Sequence, residues 1–194
     1  GARGLLAVTG AVGSSVAALG VDGAAVIFST VPTGTLLSAV NGGYIGVAPG
    51  TAGGAAPSAQ SVIDRVGANK AAFAGTFGFD SVRDGSTPQT YTDQLNFSGF
   101  GSGFTLGSLT GAILTGPITP PGSTYAFGNG GGTLILRNGG LSDVAGGGSR
   151  ALSVVSSSTV SDNSLKLVLQ SANSFTGGIT VNNSAAVFDA AGAY

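Results

Sequence analysis

The chain has 194 residues, 36 of them glycine, with a formal net charge of −1 and only 8% charged residues. It has no cysteine and no histidine, which excludes a disulfide framework, a Ser-His-Asp triad and His- or Cys-based zinc sites. Seven basic residues scattered singly form no cluster to neutralise phosphates, so neither nucleic acid nor an anionic membrane surface is an expected partner.

All eight acids are aspartate. Missing glutamate and abundant glycine disfavour helices, while Val, Thr, Ile and Phe favour strands. Hydrophobic content of 42% argues against disorder. No apolar run reaches the roughly 18–20 residues of a membrane span; residues 5–19 come closest, interrupted by Thr9, Gly10, Gly13, Ser14 and Ser15. They also lack the charged start and cleavage site of a signal peptide. With Gly rather than Met in first place, the chain is expected to be a segment of a longer protein.

In chain order, short runs predict strands at 16–21, 24–28, 35–40 and 44–47. Residues 49–57 are Ala- and Gly-rich and loop-like. A short helix is predicted near 58–66, capped by Ser58, with Val62, Ile63 and Val66 on one face. Together, residues 49–70 read as an excursion from the body of the fold. Strands follow at 95–97, 104–106 and 112–114. A proline-rich break at 117–121 is barred from a central strand. Further strands are predicted at 124–127, 133–136, 152–155, 165–169, 179–181 and 185–188. Asn41-Gly42, Asn129-Gly130, Asn138-Gly139 and Gly146-Gly147-Gly148 mark corners. The clearest repetition spans 124–190, where short apolar strands are separated by Gly, Asn and Ser. Such strands become stable when stacked on one another.

The most specific stretch is 165–181. Leu165, Leu167 and Leu169 alternate with Lys166, Val168 and Gln170, as in a half-buried strand. Asn173 to Gly178 supplies residues that tolerate positive φ and bond their own backbone. Asn173-Ser174-Phe175-Thr176-Gly177-Gly178-Ile179-Thr180-Val181-Asn182 resembles the autotransporter-associated β-strand repeat, of the form Asn-x-aromatic-Thr-Gly-Gly-x-Thr-Val-x. Tyr125-Ala126-Phe127 followed by Gly128-Asn129-Gly130-Gly131-Gly132 and Thr133-Leu134-Ile135-Leu136 is similar to the segment that precedes it. Ser184, Ala185 and Ala186 depart from the pattern, which places Gly, a small residue and Leu there. The resemblance implies an all-β, right-handed parallel β-helix (β-solenoid) in a large exported protein of Gram-negative or related bacteria. It also implies surface display and structural or adhesive roles. In that reading residues 1–194 are one β-solenoid segment, and Asn173, Thr176, Gly177 and Gly178 form a structural corner rather than a chemical site.

Charge is densest at Asp80, Arg83, Asp84 and Asp93. Paired carboxylates there suit acid/base work on a glycoside, and Asp80 with Asp84 offers hard oxygens to calcium. The plainer expectation is a solvated loop with a surface ion pair. Gly99-Phe100-Gly101-Ser102-Gly103 lacks the spacing of a phosphate-cradling loop and reads as a corner. Phe97, Phe100 and Phe104 suit either a sugar-stacking face or an aromatic interior. Asn96-Phe97-Ser98 and Asn182-Asn183-Ser184 fit the glycosylation sequon. The expected function is that of a structural or interaction protein, not an enzyme. It builds a self-associating extracellular fibre or adhesive stalk, with copies of itself as partner, surface glycans as a further candidate partner, and no cofactor. The alternative is a carbohydrate-binding or polysaccharide-cleaving β-helix using the region from Asp80 to Asp93.

Overall fold

The computed structural model describes residues 4–11, 16–82, 87–137, 140–157 and 164–189. Among the described residues, seventeen strands run in chain order with one short helix and one 3-10 turn between the fifth and sixth. The strands are β1 (Leu5–Val8), β2 (Ala18–Asp22), β3 (Ala25–Phe28), β4 (Leu36–Val40), β5 (Gly43–Val47) and β6 (Gly75–Phe79). Next come β7 (Gln89–Tyr91), β8 (Leu95–Asn96), β9 (Thr105–Gly107), β10 (Ala112–Leu114), β11 (Ile118–Thr119) and β12 (Thr124–Phe127). The last are β13 (Thr133–Leu136), β14 (Ala151–Val155), β15 (Lys166–Leu169), β16 (Ile179–Asn182) and β17 (Ala185–Phe188).

The pairing follows from how short these strands are. A strand of two to five residues buries too little by itself, so each lies beside a strand from another part of the chain. One eight-stranded sheet runs β1-β3-β5-β6-β9-β12-β14-β16, and a five-stranded sheet runs β17-β15-β13-β10-β7. Two pairs complete the set, β2 with β4 and β8 with β11. Every ladder between these strands is parallel. From β12 onward, successive strands alternate between the two large sheets. In the eight-stranded sheet Thr124 lies opposite Ala151 and Leu152 opposite Ile179, 27 residues along in both cases, whereas the five-stranded sheet steps by 33 residues from Thr133 to Lys166 and by 19 from Lys166 to Ala185.

This register lines up one apolar column. Leu6, Val26, Ile45, Phe77, Leu106, Phe127, Val154 and Val181 stand opposite one another across all eight strands. A single buried cluster runs from Val21 to Leu169. Its centre is aromatic: Phe97 and Phe104 rings lie 4.6 Å apart, and Phe100 packs on Phe97 edge-on at 5.7 Å. Each such ring contributes roughly 1.5–3 kcal/mol by burial alone.

Four strands escape the sequence pattern: β1, β6, β7 and β11. In β6, neighbouring groups take the space that a side chain at Gly75 or Gly78 would need: a Cβ on Gly75 would sit 2.3 Å from the Gly43 carbonyl oxygen. The proline-rich break does carry a strand, β11, but in a two-stranded sheet where both strands are edges. The predicted helix forms at α1 (Ala59–Asp64), where the Ser61 amide donates to Ser58 Oγ at 3.3 Å. Ala59, Val62, Ile63 and Val66 are all fully buried in the main cluster, so this segment is built into the body rather than held away from it. Of the predicted corners, Asn41 and Asn129 take left-handed backbone with φ of 50° and 66°. Asn138-Gly139 lies outside the described residues.

Candidate functional site

Asp80 follows β6 directly and is 0% exposed. The expected solvated loop is therefore corrected at this residue: its carboxylate is interior. Tyr44 on β5 lies across β6 to reach it, and its hydroxyl donates to Asp80 Oδ2 at 2.7 Å. Only glycine permits that path, since a Cβ on Gly78 would fall 1.8 Å from the Tyr44 hydroxyl oxygen. Oδ1 accepts from the Leu109 amide at 2.7 Å, the Thr110 amide at 3.1 Å, Thr110 Oγ1 at 3.3 Å and Ser108 Oγ at 3.4 Å. The Tyr91 hydroxyl lies 2.7 Å from both the Asp80 and Val47 carbonyl oxygens. The cluster thus ties β5, β6, β7 and the corner after β9.

Burial pushes the Asp80 carboxyl above its ordinary range, although the Tyr44 hydroxyl and the Leu109 and Thr110 donors pull the other way. Tyr44 is pushed well up, first by burial and then by the negative charge of Asp80; Tyr91 is raised for the same two reasons. Both carboxylate oxygens are taken by protein donors and neither reaches solvent. The arrangement suits fixing a corner and does not suit holding a cation or protonating a substrate. No group of three or more metal-ligating acids occurs among the described residues. Arg83 and Asp84 lie outside the described residues.

Asp93 does different work. Its Oδ1 accepts from Ser58 Oγ at 2.7 Å and its Oδ2 from the Ala59 amide at 3.2 Å, so it clamps the first turn of α1. Asp80 and Asp93 are each committed to a separate part of the fold and do not form a facing pair of free carboxylates. Phe97, Phe100 and Phe104 are all buried, which leaves no ring face for a sugar to stack on. The Gly99–Gly103 stretch is a corner: Gly99 has φ +86°, and a Cβ on Gly101 would meet the Ala71 carbonyl oxygen at 2.3 Å. Asn96 and Asn182, the two sequon asparagines, are exposed.

The corner at 173–178 holds through Asn173 and Thr176, which the sequence singled out, and through Asp143, which it did not. Asn173 Oδ1 accepts from the Leu141 amide at 2.7 Å, and its Nδ2 donates to the nearby Ser171 carbonyl at 2.9 Å. Asp143 is the clasp. Its Oδ1 accepts from the Arg150 amide at 2.7 Å and the Thr176 amide at 3.0 Å, while Oδ2 accepts from Thr176 Oγ1 at 2.7 Å. Those donors hold the Asp143 carboxyl below its ordinary range. No residue of 173–178 takes left-handed backbone, contrary to expectation. Gly177 is needed for space instead, because a Cβ there would lie 2.3 Å from the Arg150 carbonyl oxygen; Gly178 has nothing within 4 Å.

The remaining feature is a surface. The apolar column is covered in the middle and open at both ends: Val26 through Val154 are at most 6% exposed, whereas Leu6 is 53% and Val181 45% exposed. Ile179, opposite the buried Leu152, is 46% exposed. Ala186 and Phe188 on β17, opposite the buried Leu167 and Leu169, are only partly covered. β1 and β16 are the outermost strands of the eight-stranded sheet, each with one unpaired edge among the described residues. Neither LLAV nor ITVN contains a charge or a proline, the usual devices that keep an edge from pairing. No helix among the described residues is long and apolar enough to cross a membrane. No protein-family model, curated protein or solved structure matches the chain.

Proposed function

We propose that this chain is a β-solenoid segment of an exported bacterial surface protein, whose role is structural: it builds a self-associating extracellular fibre or adhesive stalk. The observation that carries the reading is the stack of short parallel strands that lines up one apolar column from Leu6 to Val181 across eight of them. A stack of parallel strands that alternate between two sheets suits a chain wound as a right-handed coil, since crossovers between parallel strands of one sheet are right-handed in about 98% of cases. The Thr176-Gly177-Gly178 corner and its likeness to the autotransporter-associated repeat support export and surface display. Low charge supports self-contact, because few like charges stand between copies.

Sedimentation velocity and negative-stain microscopy over a concentration series test this. Elongated assemblies that grow with concentration are expected; a monodisperse monomer at the highest concentration refutes it. The polysaccharide reading has no comparable support, because Asp80 and Asp93 are occupied in separate structural roles. Surface glycans as a partner are tested by glycan-array binding of the same sample.

A further inference from the structure

We infer that Asn96 is a glycan acceptor: its carboxamide nitrogen takes a hexose from a nucleotide-activated sugar, delivered by an asparagine-specific glycosyltransferase. The site stands on local geometry and does not depend on self-association.

Two sequons occur in the chain, Asn96-Phe97-Ser98 and Asn182-Asn183-Ser184. The tripeptide by itself is weak, because a transferase must reach both the carboxamide and the hydroxyl two residues on. The fold presents the first pair and withholds the second.

At 96–98, strand alternation puts Asn96 and Ser98 on the outer side, both exposed, while Phe97 is 0% exposed. The Phe97 ring lies 4.6 Å from that of Phe104 and 6.3 Å from that of Phe77, and its amide donates to the Thr119 carbonyl at 3.0 Å. The middle residue therefore anchors the tripeptide in the core. The Asn96 amide faces away from β11 and donates to Gln60 Oε1 of α1 at 2.7 Å. A side chain rather than another strand thus lies along this edge.

The Ser98 amide donates to Asn96 Oδ1 at 2.9 Å. A donor on that oxygen favours negative charge there, which makes an Nδ2 proton easier to remove. Among the described residues, neither Asn96 Nδ2 nor the Ser98 hydroxyl is taken by a protein partner. Both groups are free for a transferase.

The second sequon is built into the stack. Ser184 Oγ lies 2.7 Å from Ser156 Oγ, which also accepts from the Asn129 and Leu165 amides. Asn183 takes left-handed backbone with φ 50°, and its Nδ2 donates to the Ser156 carbonyl at 3.5 Å. Using that hydroxyl for recognition would break the corner.

The transfer balances. A bond forms between Asn96 Nδ2 and the anomeric carbon, and the bond from that carbon to the donor's phosphate oxygen breaks. The nucleoside diphosphate leaves with the electron pair, and one Nδ2 proton passes to a base of the transferase.

The test incubates the folded protein with UDP-glucose and a soluble sequon-directed N-glucosyltransferase, and locates the sugar by intact-mass and fragment-ion mass spectrometry. One hexose per chain at Asn96 is expected, with Asn182 occupied about tenfold less, the factor that one transition-state hydrogen bond supplies. Asn96→Gln is expected to remove the hexose and Asn182→Gln to leave it. Ser98→Ala keeps the amide bond to Oδ1, so it is expected to retain the thermal melt of the parent and to lose about tenfold in labelling. Equal occupancy of the two asparagines overturns the site, as does full labelling of Ser98→Ala. So does a bare Asn96 when a flexible sequon peptide in the same tube is converted. A labelled chain that stays monomeric refutes the fibre and leaves the site standing; a bare chain that assembles does the reverse.

Discussion

Gly177 and Gly178 are adjacent, identical in sequence and opposite in role, which makes them a sharp test of the corner geometry. Replacing Gly177 by alanine places a methyl 2.3 Å from the Arg150 carbonyl oxygen, 2.5 Å from its carbon and 2.7 Å from the Ala151 nitrogen. All three are backbone atoms of the neighbouring turn of chain, so no side chain can swing aside. Relief requires moving the two backbones apart by about 1 Å, since ordinary carbon–oxygen contacts lie near ~3.3 Å. That shift breaks or stretches the bond from the Gly177 amide to the Arg150 carbonyl, now 2.8 Å, and strains the Leu152-to-Gly178 bond of 3.0 Å. Overpacking costs about 1–3 kcal/mol and a lost hydrogen bond about 1 kcal/mol. Gly177→Ala is therefore expected to destabilise by roughly 2–4 kcal/mol, a fall in Tm of about 5–15 °C for a chain of this size. Gly178→Ala meets nothing within 4 Å and needs no left-handed backbone. It is expected to be neutral or to stabilise by up to about 1 kcal/mol, through reduced freedom of the unfolded chain. Thermal melts and urea titrations of the two variants decide it. Equal losses, or a larger loss at Gly178, refute the steric account.

Other outcomes follow from the polar clusters. Asp80→Ala strands the Leu109 and Thr110 amides, each costing about 1–3 kcal/mol when left unsatisfied. A loss near ~3 kcal/mol is expected, whereas Asp80→Asn keeps an acceptor for both amides and is expected to cost about half as much or less; equal losses in urea titration contradict this. The pH dependence separates two aspartates. Asp80 has a raised folded value, so its contribution is fully present below the unfolded carboxyl value of about 3.9 and is lost as pH rises through the folded value. Asp143 has a lowered folded value, so its contribution is present above about 3.9 and is lost as pH falls through that lowered value. Asp80→Asn is thus expected to flatten the stability profile above about pH 4, and Asp143→Asn to flatten it below, each measured as the urea midpoint against pH. Asp93→Ala removes both the Ser58 and Ala59 contacts and is expected to cost about 1 kcal/mol. Faster amide exchange confined to residues 59–64 is its signature, and unchanged exchange there rules out the clamp.

Much of the architecture was legible because strand signals are local. The alternation of Leu165, Leu167 and Leu169 put those residues inside, and all three are buried. Asn41-Gly42 and Asn129-Gly130 marked turns because few other residue types enter left-handed backbone without cost. Ser58 announced the helix start by its cap. The site was far less legible. Asp80 and Asp93 stood close in sequence among few other charges and looked like partners, yet their hydrogen bonds run to Leu109 and Ala59, segments no local pattern connects. Asp143 gave no signal, since its partner Thr176 is 33 residues away.

What the sequence determined by itself was the strand-and-corner grammar, because alternation and turn chemistry act within a few residues. Tertiary structure alone decided which strands became neighbours. It put Tyr44 over Gly78, made Gly177 rather than Gly178 the tight point, and aligned Leu6 with Val181 through six intervening strands. Those facts depend on stacking register, set jointly by loop lengths that vary from turn to turn. They show only when the whole stack is assembled.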